Sequence, residues 1–159
     1  MNKILLIILI SLFSLTVISC AKKSSDDSKT TTDNTTTTTS SVSFVAVGNT
    51  GTILTSSDNG TTWTSRTSGT TETLYRVTYK NSIFMVTGTS GVILTSSDGT
   101  SWTEQTSGIT NNLQGVTYGN DTFVAVGSSG TILTSPDGTT WTSRTSGTTE
   151  SLRGVTYSQ

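Results

Sequence analysis

The chain has 159 residues and a formal net charge of −1, with nine Lys and Arg residues against ten Asp and Glu residues. This balance lacks the basic excess that is typical of nucleic-acid-binding domains, so no nucleic-acid partner is expected. The sequence contains no histidine and a single cysteine, which excludes an imidazole base, a His-bound metal and an intramolecular disulfide.

Residues 1–19 have the pattern of a signal peptide. Lys3 supplies a positive charge near the start, and residues 4–18 are almost wholly apolar. This apolar run is too short to cross a bilayer comfortably, because a spanning helix needs about 20 apolar residues. The alternative interpretation is an N-terminal anchor that is not cleaved.

The signal ends in Val17-Ile18-Ser19-Cys20, which resembles a bacterial lipobox. In that motif an aliphatic residue and two short residues precede a cysteine that becomes the lipidated N-terminus. The resemblance implies that Cys20 carries several acyl chains such as palmitate, which together hold a protein firmly. We therefore predict a lipoprotein of the bacterial cell envelope, anchored to the outer membrane or to the outer face of the cytoplasmic membrane.

Residues 20–41 form a tether that is rich in Thr and Ser, and no large apolar residue appears before Val42. Such a segment cannot bury enough apolar surface to offset the entropy lost on ordering, so we predict that it is disordered. Its root-mean-square reach is roughly 25 Å for a flexible chain of this length. The folded part would then be residues 42–159, held clear of the lipid headgroups.

Residues 42–159 contain three copies of one unit, in which Trp63, Trp102 and Trp141 are 39 residues apart in both intervals. A fixed period of this size indicates an array of equal supersecondary units. The last full unit has four short runs separated by Gly-, Asn- and Asp-rich turns: residues 113–118, 122–127, 131–134 and 140–145. This pattern predicts four antiparallel strands per unit and no helix beyond the signal.

The second strand of each unit decides how the units pack. Its residues are apolar at consecutive positions, as in Phe123-Val124-Ala125-Val126, so both of its faces need cover. Four-stranded sheets stacked face to face around an axis provide that cover, and this is the arrangement of a β-propeller. We therefore predict an all-β fold made of propeller blades. A β-solenoid is the alternative, but its turns are usually shorter and its strands pair in parallel.

A motif near the end of each unit carries a family resemblance. The pattern Ser-x-Asp-x-Gly-x-x-Trp is complete at residues 56–63, and the other two copies lack one residue between Asp and Gly, which predicts tighter turns. The motif resembles the Asp-box, or BNR repeat, of sialidase-like and photosystem II assembly factor-like propellers. Its residues are Ser56, Asp58, Gly60 and Trp63; Ser96, Asp98, Gly99 and Trp102; and Ser135, Asp137, Gly138 and Trp141.

We assign these motif residues a structural role. Each Asp carboxylate is expected to accept hydrogen bonds from backbone N–H groups of its turn, and each Gly to supply a positive φ. Each Trp is expected to bury its ring between neighbouring blades. A calcium loop would need further oxygen ligands at fixed steps and a closing Glu, and the motif lacks them. We predict no metal and no cofactor.

The order of the strands leaves the closure of the ring open. The folded part starts in a second strand at Val42–Val47 and ends in a first strand at Leu152–Tyr157. Known propellers have about four to eight blades, whereas three blades leave free edges. A head-to-tail homodimer would form a six-bladed ring. The alternatives are a fragment of a longer protein, favoured by the identity of residues 63–72 and 141–150, and a stable open monomer.

The sequence offers no clear set of catalytic residues. Sialidases use an arginine triad, a Tyr–Glu pair and an Asp acid, but Arg66 and Arg144 occupy one repeated position, as do Glu72 and Glu150. A two-carboxylate glycosidase would need unrepeated acidic residues on the inner strands, and these strands have none. We therefore predict that the protein is not an enzyme.

Positions that differ between the units are the candidates for ligand binding. In propellers the first strand lines the central channel, and its variable residues here are Tyr75, Arg76, Gln114 and Arg153. They could form a weakly cationic funnel for an acidic or sugar-like ligand; sequence drift at tolerant positions is the alternative. Our hypothesis is a non-catalytic envelope lipoprotein whose propeller binds or scaffolds a protein or glycan partner. The competing hypothesis is a remnant or fragment of a larger Asp-box propeller protein, with a glycosidase-like activity.

Overall fold

The structure is a computed structural model that describes residues 41–42 and 44–158. The predicted signal peptide at 1–19, the predicted lipidation site Cys20 and nearly all of the predicted tether lie outside the described residues, so these three stay predictions. Within the described residues, no helix is both long enough and apolar enough to cross a bilayer.

The described residues form eleven strands in three antiparallel sheets, which we name blades 1, 2 and 3 in chain order. Blade 1 contains β1 (Phe44–Val47), β2 (Ile53–Ser56) and β3 (Thr64–Arg66). Blade 2 contains β4 (Leu74–Lys80), β5 (Ile83–Gly88), β6 (Ile93–Ser96) and β7 (Thr103–Gln105). Blade 3 contains β8 (Leu113–Gly119), β9 (Thr122–Gly127), β10 (Ile132–Ser135) and β11 (Thr142–Arg144). Short 3-10 turns join the two middle strands of blades 2 and 3, at Thr89–Gly91 and Ser128–Gly130.

Each blade is a meander in which strands that follow one another in the chain are also paired. The predicted all-β fold of propeller blades is confirmed. Blades 2 and 3 have four strands, whereas blade 1 has three, because its first described strand is equivalent to the second strand of the other two. This matches the predicted strand order, in which the folded part starts in a second strand.

The tight hairpins of blades 2 and 3 follow from their turn residues. Asn81 and Ser82 connect β4 to β5, and Asn120 and Asp121 connect β8 to β9; their φ angles are 51°, 60°, 47° and 55°. Two consecutive residues with positive φ make a turn whose twist matches that of the flanking strands, and Asn and Asp tolerate this conformation well. These turns therefore fix the register of both hairpins.

The hydrophobic core lies between blades. Met85 and Val86 are consecutive residues of β5 and both have no exposed surface, yet they belong to two different clusters. Met85 shares a cluster with Phe123 and Leu133 of blade 3, whereas Val86 shares one with Ile53 of blade 1. The second strand of blade 2 is therefore covered on both faces, as its apolar sequence predicts.

Two of the three repeated tryptophans lie between blades. Trp102 packs against the cluster that blades 1 and 2 share, and Trp141 packs against the cluster that blades 2 and 3 share. Trp63 of blade 1 has 44% of its surface exposed, so the prediction of an interblade position is wrong for this residue. The reason is that each of the other two contacts the preceding blade, and the described residues contain no blade before blade 1.

The predicted strand at Leu152–Tyr157 follows the course of an innermost strand without being assigned as one. The Leu152 N–H donates to the Gly127 carbonyl at 2.9 Å, just as the Leu74 N–H donates to the Gly48 carbonyl at 2.9 Å where β4 begins. The segment therefore lies beside blade 3, as β4 lies beside blade 1. It is not a strand because no described residue pairs with it in a ladder, which corrects the prediction.

Truncating a buried residue tests the interblade core. Leu113 has no exposed surface and lies in the cluster between blades 2 and 3. We expect Leu113→Ala to lower the free energy of unfolding by about 2–5 kcal/mol, because it leaves a cavity that its neighbours fill only partly. Thr103→Ala, at an exposed position of β7, is the control and should cost less than about 0.5 kcal/mol. Urea denaturation measures both, and equal losses would contradict a core between blades.

Candidate functional site

In each blade, one turn joins the two outermost strands. We call these three turns the aspartate turns: residues 56–63, 96–102 and 135–141. All twelve residues of the predicted Asp-box motif lie in them. Each turn is closed by its tryptophan, whose indole N–H donates to the glycine carbonyl: Trp63 to Gly60 at 3.1 Å, Trp102 to Gly99 at 3.2 Å and Trp141 to Gly138 at 3.3 Å.

The second aspartate turn has a compact hydrogen-bond network around its carboxylate. Asp98 Oδ1 accepts from the Ser96 hydroxyl at 2.9 Å and from the N–H groups of Thr100 and Ser101 at 2.7 and 2.9 Å. The Ser96 hydroxyl oxygen accepts from the Gly99 N–H at 2.8 Å. The third aspartate turn repeats this network around Asp137, with distances of 2.8 to 2.9 Å. The carboxylates therefore bind backbone N–H groups of their own turns.

The first aspartate turn has one additional residue and keeps part of this network, with one backbone N–H instead of two donating to its carboxylate. Asn59 takes up the extra length in a left-handed conformation, with a φ of 59°. The Gly60 N–H still reaches the Ser56 hydroxyl at 2.9 Å, and the Thr62 N–H reaches Asp58 Oδ1 at 2.9 Å. The other two turns close one residue earlier, which agrees with the tighter geometry that the sequence predicts for them.

Hydrogen bonding lowers the pKa of all three carboxyl groups. The Thr62 hydroxyl lowers the pKa of Asp58 to about 2, from a usual value of 3.8. The backbone N–H of Ser101 holds the pKa of Asp98 well below its usual range, and that of Thr140 does the same for Asp137. All three groups are ionised at neutral pH and act as fixed acceptors, so none is suited to donate a proton as a general acid.

Two aspartate turns fit closely against the blade that precedes them. A Cβ atom added to Gly99 would lie 2.9 Å from the side chain of Val42, and one added to Gly138 would lie 2.9 Å from the side chain of Met85. Both glycines also have positive φ angles, 73° and 77°. The turns are therefore part of the interblade contact, as expected for a structural role.

The candidate ligand residues lie at one end of the innermost strands. Both β4 and β8 have a register irregularity directly after their first residue, and Tyr75 and Gln114 are the residues it leaves unpaired. Such a bulge takes a residue out of the ladder and re-aims its side chain. Arg153 holds the same position in the C-terminal segment. Tyr75 and Arg153 are exposed and Gln114 is half-buried. We call these three residues the inner row.

Arg76 lies beside the inner row rather than in it. It is exposed and stands opposite Thr87 in the ladder of blade 2. Its equivalents are Gly115 and Gly154, and a Cβ added to Gly115 would lie 3.3 Å from the backbone of residues 153 and 154. Among the innermost segments that the structure describes, only β4 therefore has a side chain larger than that of glycine at this position. A ligand-binding role for these four residues stays a prediction.

Arg66 and Arg144, which occupy one repeated position in the sequence, both make a specific contact. They share it with Gln105, and each donates to a threonine of the adjacent strand: Arg66 to Thr55 at 2.8 Å, Gln105 to Thr95 at 2.8 Å and Arg144 to Thr134 at 2.9 Å. These side chains fasten the outermost strand of each blade. Because each contact stays within its own blade, they do not converge as an arginine triad must.

Sequence reasoning also missed an open groove that recurs in every blade, between the outermost strand and the loop that follows it. Its volume is about 660 Å³ in blade 1, 730 Å³ in blade 2 and 680 Å³ in blade 3. In blade 1 it is lined by residues 50–52 and 65–71. The lining is nearly the same in the other blades, so a search for variable positions cannot find it. Among the described residues, no group of three or more acidic, His or Cys side chains could hold a metal ion.

Comparison with known proteins supports the fold. No protein-family model matches the chain, and no curated protein matches it. A similar solved structure is YCF48 bound to D1 peptide, with a TM-score of 0.54 and 20% sequence identity. The match covers 62% of this chain and 35% of the YCF48 chain, so this chain spans about a third of that protein's length. Since YCF48 is a β-propeller, the likeness shows that the blades of this chain have a propeller-like fold.

The aspartate turns make the fold sensitive to acid. Their folded pKa values lie below 3.8, so their contribution to stability is present above about pH 4 and is lost as the pH falls through the folded pKa. We expect an Asp98→Asn/Asp137→Asn variant to have a lower Tm at pH 7 and a shallower fall in Tm between about pH 4 and pH 2. Circular dichroism melts measure both.

The control for this experiment is Glu104→Gln, which changes an exposed carboxyl group on β7 outside the aspartate turns. It should keep the wild-type dependence of Tm on pH. An Asp98→Asn/Asp137→Asn variant with the wild-type profile would show that these carboxylates do not stabilise the turns.

Proposed function

We propose that this chain is a non-catalytic binding module of the bacterial cell envelope, anchored by lipid on Cys20. Its propeller would bind a protein or glycan partner. The lipobox-like sequence supports the location, and the inner row carries the proposal of binding. Its three side chains are chemically different from one another on a scaffold that otherwise repeats from blade to blade.

The chemistry of the inner row suits a polar, weakly acidic partner. Tyr75 offers an aromatic face and a hydroxyl, Gln114 offers an amide, and Arg153 offers a guanidinium group that can bind a carboxylate with two hydrogen bonds. Peptides and glycans both present such acceptors. Between the two, the likeness to YCF48 bound to D1 peptide favours a peptide, because a propeller of similar fold holds one.

Several contacts favour binding over catalysis. The three carboxylates of the aspartate turns are held as hydrogen-bond acceptors. The Glu72 carboxylate accepts from the hydroxyls of Thr89 and Ser90. The innermost strands β4 and β8 contain neither Asp nor Glu. The innermost strands β4 and β8 therefore supply neither of the two carboxylates that a glycosidase of the usual kind requires.

The proposal includes a head-to-tail pair of chains as the binding form. The described blades number three, and known propellers have about four to eight. Two chains would supply six blades, and the inner row would then occur twice around one axis.

Binding through the inner row is tested with peptide and glycan arrays. We expect wild-type protein to bind members that carry exposed carboxylates, and a Tyr75→Ala/Arg153→Ala variant to lose at least about tenfold in affinity, because a lost charge-assisted hydrogen bond costs about 1.5–3 kcal/mol. Arg144→Ala, which removes an arginine far from the inner row on β11, is the matched control and should bind as wild type. Unchanged binding by the double variant would contradict the site, and turnover of a fluorogenic glycoside would contradict a non-catalytic role.

Anchoring is tested by Cys20→Ser in the bacterial host. We expect wild-type protein to take up a labelled fatty acid and to partition into the detergent phase, because several acyl chains bind a membrane stably. Cys20→Ser should lose the label and leave the detergent phase. Ser19→Ala, which keeps a short residue before the cysteine, is the control and should remain lipidated. Labelling that persists in Cys20→Ser would rule out this anchor.

A further inference from the structure

Among the described residues, two segments, β1 and residues 152–157, each lack a strand partner that their equivalents in the other blades have. In blades 2 and 3 the innermost strand pairs with the second strand, β4 with β5 and β8 with β9. Blade 1 has the equivalent second strand, β1, but no described residue pairs with its free edge. Residues 152–157 lie where an innermost strand would lie, and no described second strand pairs with them.

The two unpaired segments repeat the sequences of a pair that already exists in blade 3. β1 reads Phe-Val-Ala-Val, which is identical to residues 123–126 of β9. Residues 152–157 read Leu-Arg-Gly-Val-Thr-Tyr and differ from residues 113–118 of β8 at one position, where Arg153 replaces Gln114. β1 and residues 152–157 therefore have nearly the same sequences as the paired strands β9 and β8, but they are not paired with each other.

An aromatic contact is divided in the same way. Each complete hairpin has a cross-strand pair of rings: Tyr79 with Phe84 at a centroid distance of 4.4 Å and Tyr118 with Phe123 at 4.6 Å. The equivalent residues of the unpaired segments are Phe44 and Tyr157. Phe44 is 49% exposed, whereas its equivalents Phe84 and Phe123 are buried. Among the described residues, neither Phe44 nor Tyr157 forms such a ring pair.

The outer faces of the end blades are also less covered than the same positions inside the stack. In blade 2, Leu94 and Ile93 have no exposed surface and lie on opposite faces of the sheet. Their equivalents Leu54 in blade 1 and Ile132 in blade 3 are only half-buried. The exposed Trp63 belongs to the same open side of blade 1 as Leu54. Among residues 44–158, blade 1 has no neighbouring blade on one side, and blade 3 has none on the other.

We propose that residues 152–157 of one copy pair with β1 of a second copy and become the innermost strand of its blade 1. This inference rests on the head-to-tail pair of the proposed function and names the strands that join it. The register of β8 and β9 sets the contacts between copies: Tyr157 opposite Phe44, Thr156 opposite Val45, Val155 opposite Ala46 and Gly154 opposite Val47.

A second copy fits these segments better than closure within one chain. β1 contacts β4 of blade 2, β4 contacts β8 of blade 3, and residues 152–157 lie beyond blade 3. The two unpaired segments are therefore at opposite ends of a three-blade stack. In a pair of chains, the open side of blade 1 would lie against blade 3 of the other copy, and the same junction would form twice.

Disulfide cross-linking tests the register. Two full chains, each with Cys20→Ser so that introduced thiols are the only ones, are co-expressed; one carries Phe44→Cys and the other Tyr157→Cys. Opposed residues of an antiparallel pair have Cα atoms about 4.5–5.5 Å apart, which is within the range of a disulfide. We expect oxidation to link the pairs that combine the two different chains, whereas pairs of identical chains should stay unlinked.

The matched control replaces Tyr157→Cys with Thr156→Cys. Successive side chains of a strand point to opposite faces, so a cysteine at 156 should link poorly to one at 44. Equal linking by both, or no linking by Tyr157→Cys, would overturn the inference. A link within one chain of a Phe44→Cys/Tyr157→Cys double variant would also overturn it.

Wild-type protein supplies a test that needs no substitution. Sedimentation equilibrium in detergent should give twice the protein mass of one mature chain, which is smaller than the 16.7 kDa of the full sequence because the signal peptide is removed. A monomer that still binds an array ligand would reject both the pair and the strand exchange while leaving the binding module in place. A dimer without the specific disulfide would keep the pair and reject this strand contact.

Discussion

The fold depends on a strand that must be covered on both faces. In β5, Met85 faces one neighbouring blade and Val86 faces the other, and neither is exposed. Burial of apolar surface contributes roughly 25 cal/mol per Å², so a blade with only one neighbour forgoes much of what stabilises it. Stability is then shared along the stack, as in repeat proteins whose units contact only their neighbours. Blade 2 packs against a neighbouring blade on both faces, whereas blades 1 and 3 each pack against a described blade on one face.

Features that depend on a few neighbouring residues could be predicted from the sequence. The strand predicted at 122–127 is β9 as observed, because turn residues with positive φ delimit it on one side and a glycine-containing turn on the other. The hydrogen bonds of Asp98 to its own turn are local as well. Such contacts form wherever the short sequence occurs, so one copy of the unit is enough to predict them.

Features that depend on the next blade could not be predicted in this way. Trp63 and Trp102 stand in nearly the same sequence, yet Trp63 is 44% exposed and Trp102 packs in an interblade cluster. The difference comes from the presence or absence of a preceding blade, which no local pattern records. The bulges at Tyr75 and Gln114 could not be predicted from the sequence for a related reason. They depend on how an innermost strand pairs with the strand beside it, and no particular residue type marks their position.

The bulges also explain how a repeated scaffold can carry a specific surface. Residues in the ladders and clusters must satisfy the same packing in each blade, so they repeat, whereas a bulge residue stands outside the ladder and is free to vary. Tyr75 and Gln114 have this freedom within their own chain. Arg153 would take up the equivalent bulge position only when residues 152–157 are held in a ladder, which in the proposed pair is supplied by β1 of the other copy. Assembly would then fix the position of one of the three recognition residues, and binding and pairing of the chains would reinforce each other.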